Sequence, residues 1–248
     1  MKKTQKTIRS KKPKDFEEDL VGKSDNARFE ESYFEGYYKS EVGDYSKERD
    51  EELSNWFRGM YNYVNKFVPI KNSKGKTILE FGCAYGAASS VLTDYGLKVT
   101  GTDISKLAVE RAKKLHPKII FKPHDMQKLF KTEKKFDFAI ANDVIEHLEK
   151  PEQGIKNVYK ILKPHGIAIL STQNDFDYKV QDPTHISVKN YKEWERICYE
   201  AGFSKVRIKR VTFFPPYLYR KNWRLNLVLP FASSTTLFLS TVFIFAEK

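Results

Sequence analysis

The chain has 248 residues, a formal net charge of +12 and two cysteines, Cys83 and Cys198. This length suits one α/β domain with extensions, and two cysteines exclude a disulfide framework and fit a reducing cytoplasm. Residues 1–25 lack the apolar segment of a signal peptide, so we expect a cytoplasmic protein.

The N-terminal tail is strongly basic. Residues 1–14 contain seven lysines and arginines and no acidic residue. This composition disfavours a packed core, so we expect residues 1–25 to be disordered. The tail either solubilises the chain or tethers it to anionic lipid or RNA.

Residues 26–70 are expected to form an N-terminal cap. Aromatic side chains crowd residues 26–46, and apolar residues at helical spacing predict an amphipathic helix over residues 50–68, just before Pro69. The aromatic side chains either cover one side of a sheet or close over a ligand pocket.

The segment at residues 77–89, TILEFGCAYGAAS, predicts a buried parallel strand, a tight turn and a helix. This geometry brings backbone N–H groups and a helix N-terminus against a ligand. Gly82 and Gly86 suit the turn because a Cβ would hinder a positive φ or the approach of the ligand. Glu80 places a carboxylate at the end of the strand.

A second acidic residue, Asp103, ends the next predicted strand at residues 97–102, where a nucleotide-binding βαβ unit has its ribose-binding carboxylate. A dinucleotide and S-adenosylmethionine (SAM) both suit this arrangement. The dinucleotide fingerprint leaves Gly86 out of frame and Glu80 without a role. A ligand that carries a cationic amino group explains Glu80.

The pattern Glu80-x-Gly82-x-Ala84-x-Gly86 followed by Asp103 resembles motif I and the acidic post-I residue of the class I SAM-dependent methyltransferases. That family usually has Gly where Ala84 stands. The resemblance covers roughly residues 30–248 and is specific over residues 78–148. It implies SAM as the cofactor and S-adenosylhomocysteine as the product, with Glu80 at the methionyl amino end and Asp103 at the ribose hydroxyls.

The third predicted strand, residues 118–121, follows a helix capped by Ser105 and leads into Pro123-His124-Asp125-Met126. In the resembled family an acidic residue at this point accepts from the adenine amino group, and the next residue packs on the ring. Asp125 and Met126 match these positions. The full set of expected cofactor-binding residues is Glu80, Gly82, Cys83, Gly86, Asp103, Ile104, Asp125, Met126 and Asn142.

The remaining elements continue the alternation of strands and helices. We predict a strand over residues 136–141, a helix that opens at Pro151 and ends at residues 163–166, a strand over 167–170, a helix over 190–201, and two final strands. The fold class is therefore α/β, with a doubly wound sheet. The resemblance implies a Rossmann-like, mostly parallel sheet of seven strands whose last strand is antiparallel. Residues 71–248 would form the methyltransferase domain.

The C-terminal region allows a membrane interpretation. Residues 225–246 contain 22 residues without a charge, which is long enough to span a bilayer, but Pro230 interrupts them and the fold needs its last strand there. Residues 213–236 interleave aromatic and basic side chains. This pattern is typical of a lid over an active site, a membrane interface with a lipid-linked substrate, or a surface that binds single-stranded RNA.

Two histidines are candidate catalytic bases, because an imidazole accepts a proton near neutral pH. His147 follows the fourth strand, and His185 lies with Asp182 in Asp182-Pro183-Thr184-His185, within the long polar loop at residues 171–190. This loop resembles one found in methyltransferases of glycan and lipid modification. Asp182 either orients the imidazole of His185 toward an acceptor or only shapes the loop.

A metal ion is the less favoured alternative at the fourth strand. Ubiquinone-biosynthesis O-methyltransferases resemble this segment and use Glu-x-x-Glu-His for Mg²⁺, which corresponds here to Asp143, Glu146 and His147. The shorter arm of Asp143 and the preference of a hard cation for oxygen ligands argue against the site, so we expect no metal ligands.

We predict a SAM-dependent methyltransferase that acts on a hydroxyl of a small molecule, sugar or lipid-linked intermediate. The tetrapeptide of exocyclic amine methylation, Asn/Asp-Pro-Pro-Tyr/Phe, is absent from the sequence. Two alternatives stay open: an RNA methyltransferase, and a non-catalytic SAM-binding partner protein. Residues 171–190 and 213–236 are the expected substrate loops, and peripheral membrane contact is an alternative to a purely cytoplasmic location.

Overall fold

A computed structural model describes residues 29, 33–34, 46–173, 184–214, 218, 222–225, 227–232 and 239–248. The helices in these ranges are α1 (Lys47–Val64), α2 (Ala87–Asp94), α3 (Lys106–Leu115), α4 (Pro151–Ile161) and α5 (Tyr191–Ala201). The strands are β1 (Thr77–Phe81), β2 (Lys98–Asp103), β3 (Ile120–Pro123), β4 (Phe136–Asn142), β5 (Leu162–Gln173), β6 (Lys205–Phe214), β7 (Leu227–Leu229) and β8 (Leu239–Glu247). The expected disordered tail at residues 1–25 lies outside the described residues.

The eight strands form one sheet in the order β3-β2-β1-β4-β5-β8-β6-β7. Strands β1 to β5 are parallel, and β8 lies between β5 and β6, antiparallel to both. The prediction of a mostly parallel, doubly wound sheet with an antiparallel last strand is confirmed. The short strand β7 is an eighth strand beyond the seven predicted.

Helices cover both faces of the sheet, as a parallel sheet requires. On one face α1 and α2 bury Tyr61, Val64 and Leu92 against β1, β4 and β8. On the other face α4 and α5 bury Val158 and Trp194 against β4, β5 and β8. This packing leaves the carboxyl ends of the parallel strands along one edge of the sheet, where ligands bind in open α/β folds.

Strand β5 begins earlier than the sequence predicts. Residues 163–166 were expected to end the preceding helix, but the structure places them inside β5, which starts at Leu162. The pairing with β4 shifts register between Phe136 and Phe138, and His165 has a φ of 60°. The prediction was wrong because α4 passes into the strand without a loop, and the irregular residues form a bulge rather than a helix end.

No described helix is long and apolar enough to cross a bilayer. Within the C-terminal stretch that has no charge, residues 227–229 and 239–246 lie in β7 and β8. Residues 227–229 and 239–246 therefore form antiparallel strands and not a membrane-spanning helix.

Candidate active site

A cavity of about 350 Å³ opens at the carboxyl ends of β1, β2 and β4. Strand ends supply its polar groups, and the turn after β1 supplies its floor. Most of the residues expected at the cofactor line this one cavity: Glu80, Gly82, Cys83, Asp103, Ile104, Asp125, Met126 and Asn142.

Glu80 is buried at the end of β1 and lines the cavity. The Ser89 hydroxyl of α2 donates a short hydrogen bond to the Glu80 carboxylate. Burial is the main cause that raises the pKa of Glu80 to about 8, and the nearby Asp103 adds to the rise. A cationic ligand group at this position would favour the ionised carboxylate.

The turn after β1 is tight because every second residue from Gly82 to Gly86 has a left-handed backbone conformation. Gly82, Ala84 and Gly86 have φ values of 69°, 43° and 95°. A Cβ on Gly82 would collide with the side chain of Val144, so glycine is required there. Gly86 precedes α2 but is not among the residues lining the cavity. A Cβ there would lie 2.7 Å from His116 Cδ2, so its role is steric.

Asp103 is fixed by backbone donors at the end of β2. The Ala84 amide donates to its Oδ2 at 2.9 Å, and the Ser105 amide donates to its Oδ1 at 2.9 Å. These bonds tie the carboxylate to the turn after β1 and to the start of α3, where Ser105 is the N-cap as predicted. The orientation of Asp103 toward the cavity is thus set before any ligand arrives.

The far end of the cavity holds Asp125 and Met126. The Asp125 carboxylate accepts from the Gln127 amide at 2.9 Å and lies 3.4 Å from Lys128 Nζ. Met126 is buried near Gly154, where an added Cβ would lie 2.7 Å from Leu148 Cδ1 and 3.6 Å from Met126 Cγ. An acceptor oxygen therefore lies beside an apolar surface, an arrangement that suits the edge and the face of a purine ring.

Tyr61 positions a residue of the cavity wall, a role that sequence reasoning missed. It is fully buried on α1, and its hydroxyl accepts a 2.9 Å hydrogen bond from Asn142 Nδ2 at the end of β4. The bond orients the Asn142 amide at the cavity wall. No local pattern marks this pair, because 81 residues separate its members.

His147 and His185 lie side by side in the wall of the cavity. Their ring centroids are 4.6 Å apart, and both rings line the cavity. His147 Nδ1 lies 3.1 Å from the Thr184 carbonyl oxygen and 2.9 Å from the Thr184 hydroxyl. The structure thus brings the two candidate bases together, while Asp182 lies outside the described residues.

Glu146 is the third member of this cluster. Its carboxylate is fully buried, and neither oxygen makes a hydrogen bond of normal geometry with the described residues, although the Thr172 hydroxyl and the Gln173 backbone lie near enough to lower its pKa. Burial, followed by the charge of Asp143, raises the pKa of Glu146 well above its usual range. One ligand atom from each of Glu146, His147 and His185 lies within 4.8 Å of the others.

Asp143 is not part of this three-residue cluster. Its Oδ1 accepts a hydrogen bond from the Ser171 hydroxyl, and its own amide donates to Ser171. Burial raises the pKa of Asp143. The less favoured alternative of a cluster formed by Asp143, Glu146 and His147 therefore differs from the observed cluster, in which His185 takes the third position.

Aromatic side chains cover the part of the cavity that contains His147, and we call them the aromatic roof. Phe29 packs edge-on against His147 with ring centroids 5.5 Å apart, and Phe34 packs against Tyr85 at 5.4 Å. Tyr33 and Phe57 also line the cavity. The aromatic richness of residues 26–46 signalled this roof, but it did not specify which rings reach the site.

The carboxylates that line the cavity fit SAM better than a dinucleotide. A buried carboxylate at Glu80 suits a cationic amino group, and Asp103 suits vicinal hydroxyls. Between these two carboxylates the turn at Gly82 packs so closely on Val144 that only glycine fits.

Residues 53–208 match the family model described as a methyltransferase domain. The chain is similar to the ubiquinone biosynthesis O-methyltransferase of Coxiella burnetii, with 33% identity over 116 residues that cover 45% of this chain and 48% of the relative. The corresponding protein of Rickettsia typhi is 37% identical over 101 residues, which cover 39% of this chain and 41% of that protein. The chain spans about half the length of the curated relatives it matches.

Two solved structures with low sequence identity share the fold. A SAM-dependent methyltransferase from Archaeoglobus fulgidus is similar with a TM-score of 0.61 and 16% identity, over 88% of this chain and all of that one (100%). Phosphoethanolamine N-methyltransferase 2 of Haemonchus contortus in complex with SAM has a TM-score of 0.58 and 18% identity, over 78% of this chain and 52% of that one.

Proposed function

This chain belongs to the methyltransferase domain family, and on that premise we propose that it transfers a methyl group from SAM to a hydroxyl of a small molecule, sugar or lipid-linked intermediate. The observation that carries the proposal is the single cavity that joins Glu80 and Asp103 to the His147–His185 pair. A donor site and a proton acceptor in one cavity are what methyl transfer to oxygen requires.

Glu80, Asp103 and Asp125 would hold the cofactor. Glu80 would bind the methionyl amino group, Asp103 the ribose hydroxyls, and Asp125 with Met126 the adenine. SAM supplies a methyl group on a sulfonium, which is a good leaving group. The protein therefore needs mainly to align the acceptor oxygen and to take its proton.

His147 is the proposed proton acceptor. The Thr184 carbonyl oxygen can only accept a hydrogen bond, so it favours the tautomer in which His147 Nδ1 carries the proton. His147 Nε2 is then the nitrogen that takes the acceptor proton. His185 packs against this ring and would help to orient the acceptor hydroxyl.

A divalent cation is the second candidate for the same position. The support is Glu146, a buried carboxylate whose oxygens lack hydrogen bonds of normal geometry among the described residues, beside two imidazoles. One carboxylate with two imidazoles suits a transition-metal ion better than Mg²⁺. Glu146, His147 and His185 would hold such an ion, which would supply Lewis-acid activation of the acceptor hydroxyl.

The acceptor would contact the aromatic roof. Phe29, Tyr33 and Phe57 give this side an apolar surface, which supports an acceptor with an apolar or aromatic body. The matched relatives are named for ubiquinone biosynthesis O-methylation, which supports oxygen as the methylated atom. Residues 26–70, 171–190 and 213–236 would select the acceptor.

Radiolabelled methyl transfer tests the proposal. Purified protein and labelled SAM are added to an extract of the source cells, which is then separated into lipid, small-molecule, polysaccharide, protein and RNA fractions. We expect label in the lipid, small-molecule or polysaccharide fraction. Label in RNA would favour the RNA methyltransferase, and SAM binding without label in any fraction would favour a non-catalytic partner protein.

Two comparisons separate the candidate bases from the cation. His147→Ala should lower the rate about a hundredfold or more, whereas His165→Asn, at an exposed histidine outside the cavity, should leave it unchanged. If imidazole is the base, a chelator leaves the rate unchanged. If the chelator abolishes methyl transfer and added Mn²⁺ or Zn²⁺ restores it, a cation bound by Glu146, His147 and His185 would be the activating group.

A further inference from the structure

Five large apolar side chains are exposed within a short part of the C-terminal extension. Phe214, Leu218, Leu225, Leu227 and Phe231 expose between 39% and 60% of their surface. We call this set the apolar ridge. A concentration of exposed apolar residues on a soluble domain marks a site of interaction with a partner or a membrane.

Strand pairing places two members of the ridge side by side. Phe214 of β6 pairs with Leu227 of β7 in antiparallel register, so their side chains share one face of the sheet. The adjacent residue Phe213 faces the opposite side and is fully buried against Trp56 and Phe243. The sheet end is therefore anchored in the core by one face and presents apolar side chains on the other.

All charged side chains of the extension that carries the ridge are basic. Residues 202–246 contain seven lysines and arginines and no aspartate or glutamate. Arg224 and Lys71 lie over the ring of Trp223, at 5.1 Å and 5.7 Å from its centroid. Both cations therefore lie at the turn that carries Leu225. The charge of this extension is complementary to an anionic surface.

Two members of the ridge, Phe214 and Leu227, lie at the same edge of the sheet as the cavity. Strand β8 pairs Thr241 with Gln173 at the carboxyl end of β5, and it pairs Leu239 with Phe213. Phe214 therefore lies beyond the carboxyl ends of the parallel strands, where the cavity also opens. A flat surface that met Phe214 and Leu227 would therefore lie toward the cavity side of the molecule.

We propose that the apolar ridge and its basic flank dock this protein on an anionic bilayer surface. Leucine and phenylalanine side chains insert into the headgroup boundary, while lysine and arginine contact the lipid phosphates. A bilayer explains the ridge better than RNA does, because three of its five members are leucines, which cannot stack on bases as aromatic rings do. Docking requires neither SAM nor methyl transfer, so it stands independently of the proposed function.

Vesicle co-sedimentation of the full chain without SAM tests the docking. We expect binding to phosphatidylcholine vesicles that contain phosphatidylglycerol, little binding to pure phosphatidylcholine, and weaker binding at higher salt. The double variant Leu225→Ser/Leu227→Ser should bind the anionic vesicles about tenfold more weakly. Leu129→Ser, at an exposed leucine that comes before β4 and outside the ridge, is the matched control and should bind like the parent chain.

A charge variant gives a second readout. Arg224→Glu should reduce binding to anionic vesicles and leave any residual binding to neutral vesicles unchanged. Equal binding of the double variant and Leu129→Ser would overturn the proposal, as would an absence of vesicle binding by the parent chain. Loss of oligonucleotide binding in the double variant with vesicle binding retained would also overturn it, in favour of RNA. Far-UV circular dichroism confirms that each variant is folded.

Discussion

The Glu80 carboxylate is mostly protonated at neutral pH in the ligand-free protein, because burial raises its pKa to about 8. The Ser89 hydroxyl donates to the carboxylate and opposes the rise, but desolvation outweighs this bond. A carboxylate that must ionise to bind a cation couples ligand affinity to pH.

We predict that SAM affinity increases with pH up to about 8 and falls again at higher pH, where the amino group of SAM loses its proton. Below that value the binding of the amino group must release the Glu80 proton, so affinity should fall by up to about tenfold per pH unit. Calorimetric titration in two buffers of different ionisation enthalpy measures the released proton. Glu80→Gln, which cannot ionise, should bind weakly with no such dependence, and an equal dependence in that variant would contradict the assignment.

Ala84 has a backbone conformation that suits glycine, with a φ of 43°. The left-handed region strains an alanine because its Cβ crowds the following carbonyl oxygen. We predict that Ala84→Gly raises the free energy of unfolding by about 0.5–1 kcal/mol. The matched change Ala88→Gly, inside α2, should lower it by about 1 kcal/mol. Urea denaturation measures both, and a loss of stability in Ala84→Gly would show that the turn is not strained.

Helix α5 begins with a capping box formed by Asn190 and Glu193. Asn190 Oδ1 accepts from the Lys192 and Glu193 amides at 3.0 Å and 3.1 Å. The Glu193 carboxylate accepts from the Asn190 amide at 3.0 Å. The helix then buries Trp194, Ile197 and Cys198 in the core, so the cap also fixes how the helix enters the sheet layer.

We predict that Asn190→Ala lowers the free energy of unfolding by about 1 kcal/mol, because two helix amides lose their acceptor. For a chain of this length the melting temperature should fall by about 2–4 °C. Asn190→Ser keeps a capping oxygen and should cost less. Identical melting temperatures for the two variants would mean that the cap contributes nothing measurable.

The cavity is assembled from separate elements, so its ligand should stabilise the whole molecule. Its walls come from β1, β2, β4 and residues before β1, and a ligand that binds only the folded state shifts unfolding by mass action. We predict that SAM at about a hundred times its Kd stabilises the fold by about 2.7 kcal/mol. Differential scanning calorimetry should show the rise, and equal stabilisation by NAD would contradict the choice of cofactor.

Asp103→Ala should reduce this stabilisation. The variant loses the acceptor proposed for the ribose hydroxyls, and SAM affinity should fall by one to a few kcal/mol. It also loses the bonds from the Ala84 and Ser105 amides, so the ligand-free variant should melt earlier. Asp103→Asn keeps part of these bonds and separates the two effects. Unchanged SAM affinity in both variants would count against the ribose assignment.

Much of the fold followed from local sequence signals. The alternation of apolar strands and amphipathic helices predicted the sheet, and the end of each strand predicted where Glu80, Asp103 and Asp125 would lie. These predictions succeeded because strand ends in a parallel sheet share one edge, whatever the details of the packing. The prediction at the start of β5 was wrong because a bulge and a helix end have similar residues, and only pairing with β4 separates them.

The sequence by itself determined the fold class and the cofactor edge, since both rest on periodicity and on residues close together in the chain. Only the tertiary structure decided that Glu146, His147 and His185 share one cluster while Asp143 bonds to Ser171. It also decided that Tyr61 orients Asn142 and that Phe214 lies beside Leu227 at an exposed edge. These contacts join residues from 13 to 81 positions apart, and packing of whole elements sets them rather than any local preference.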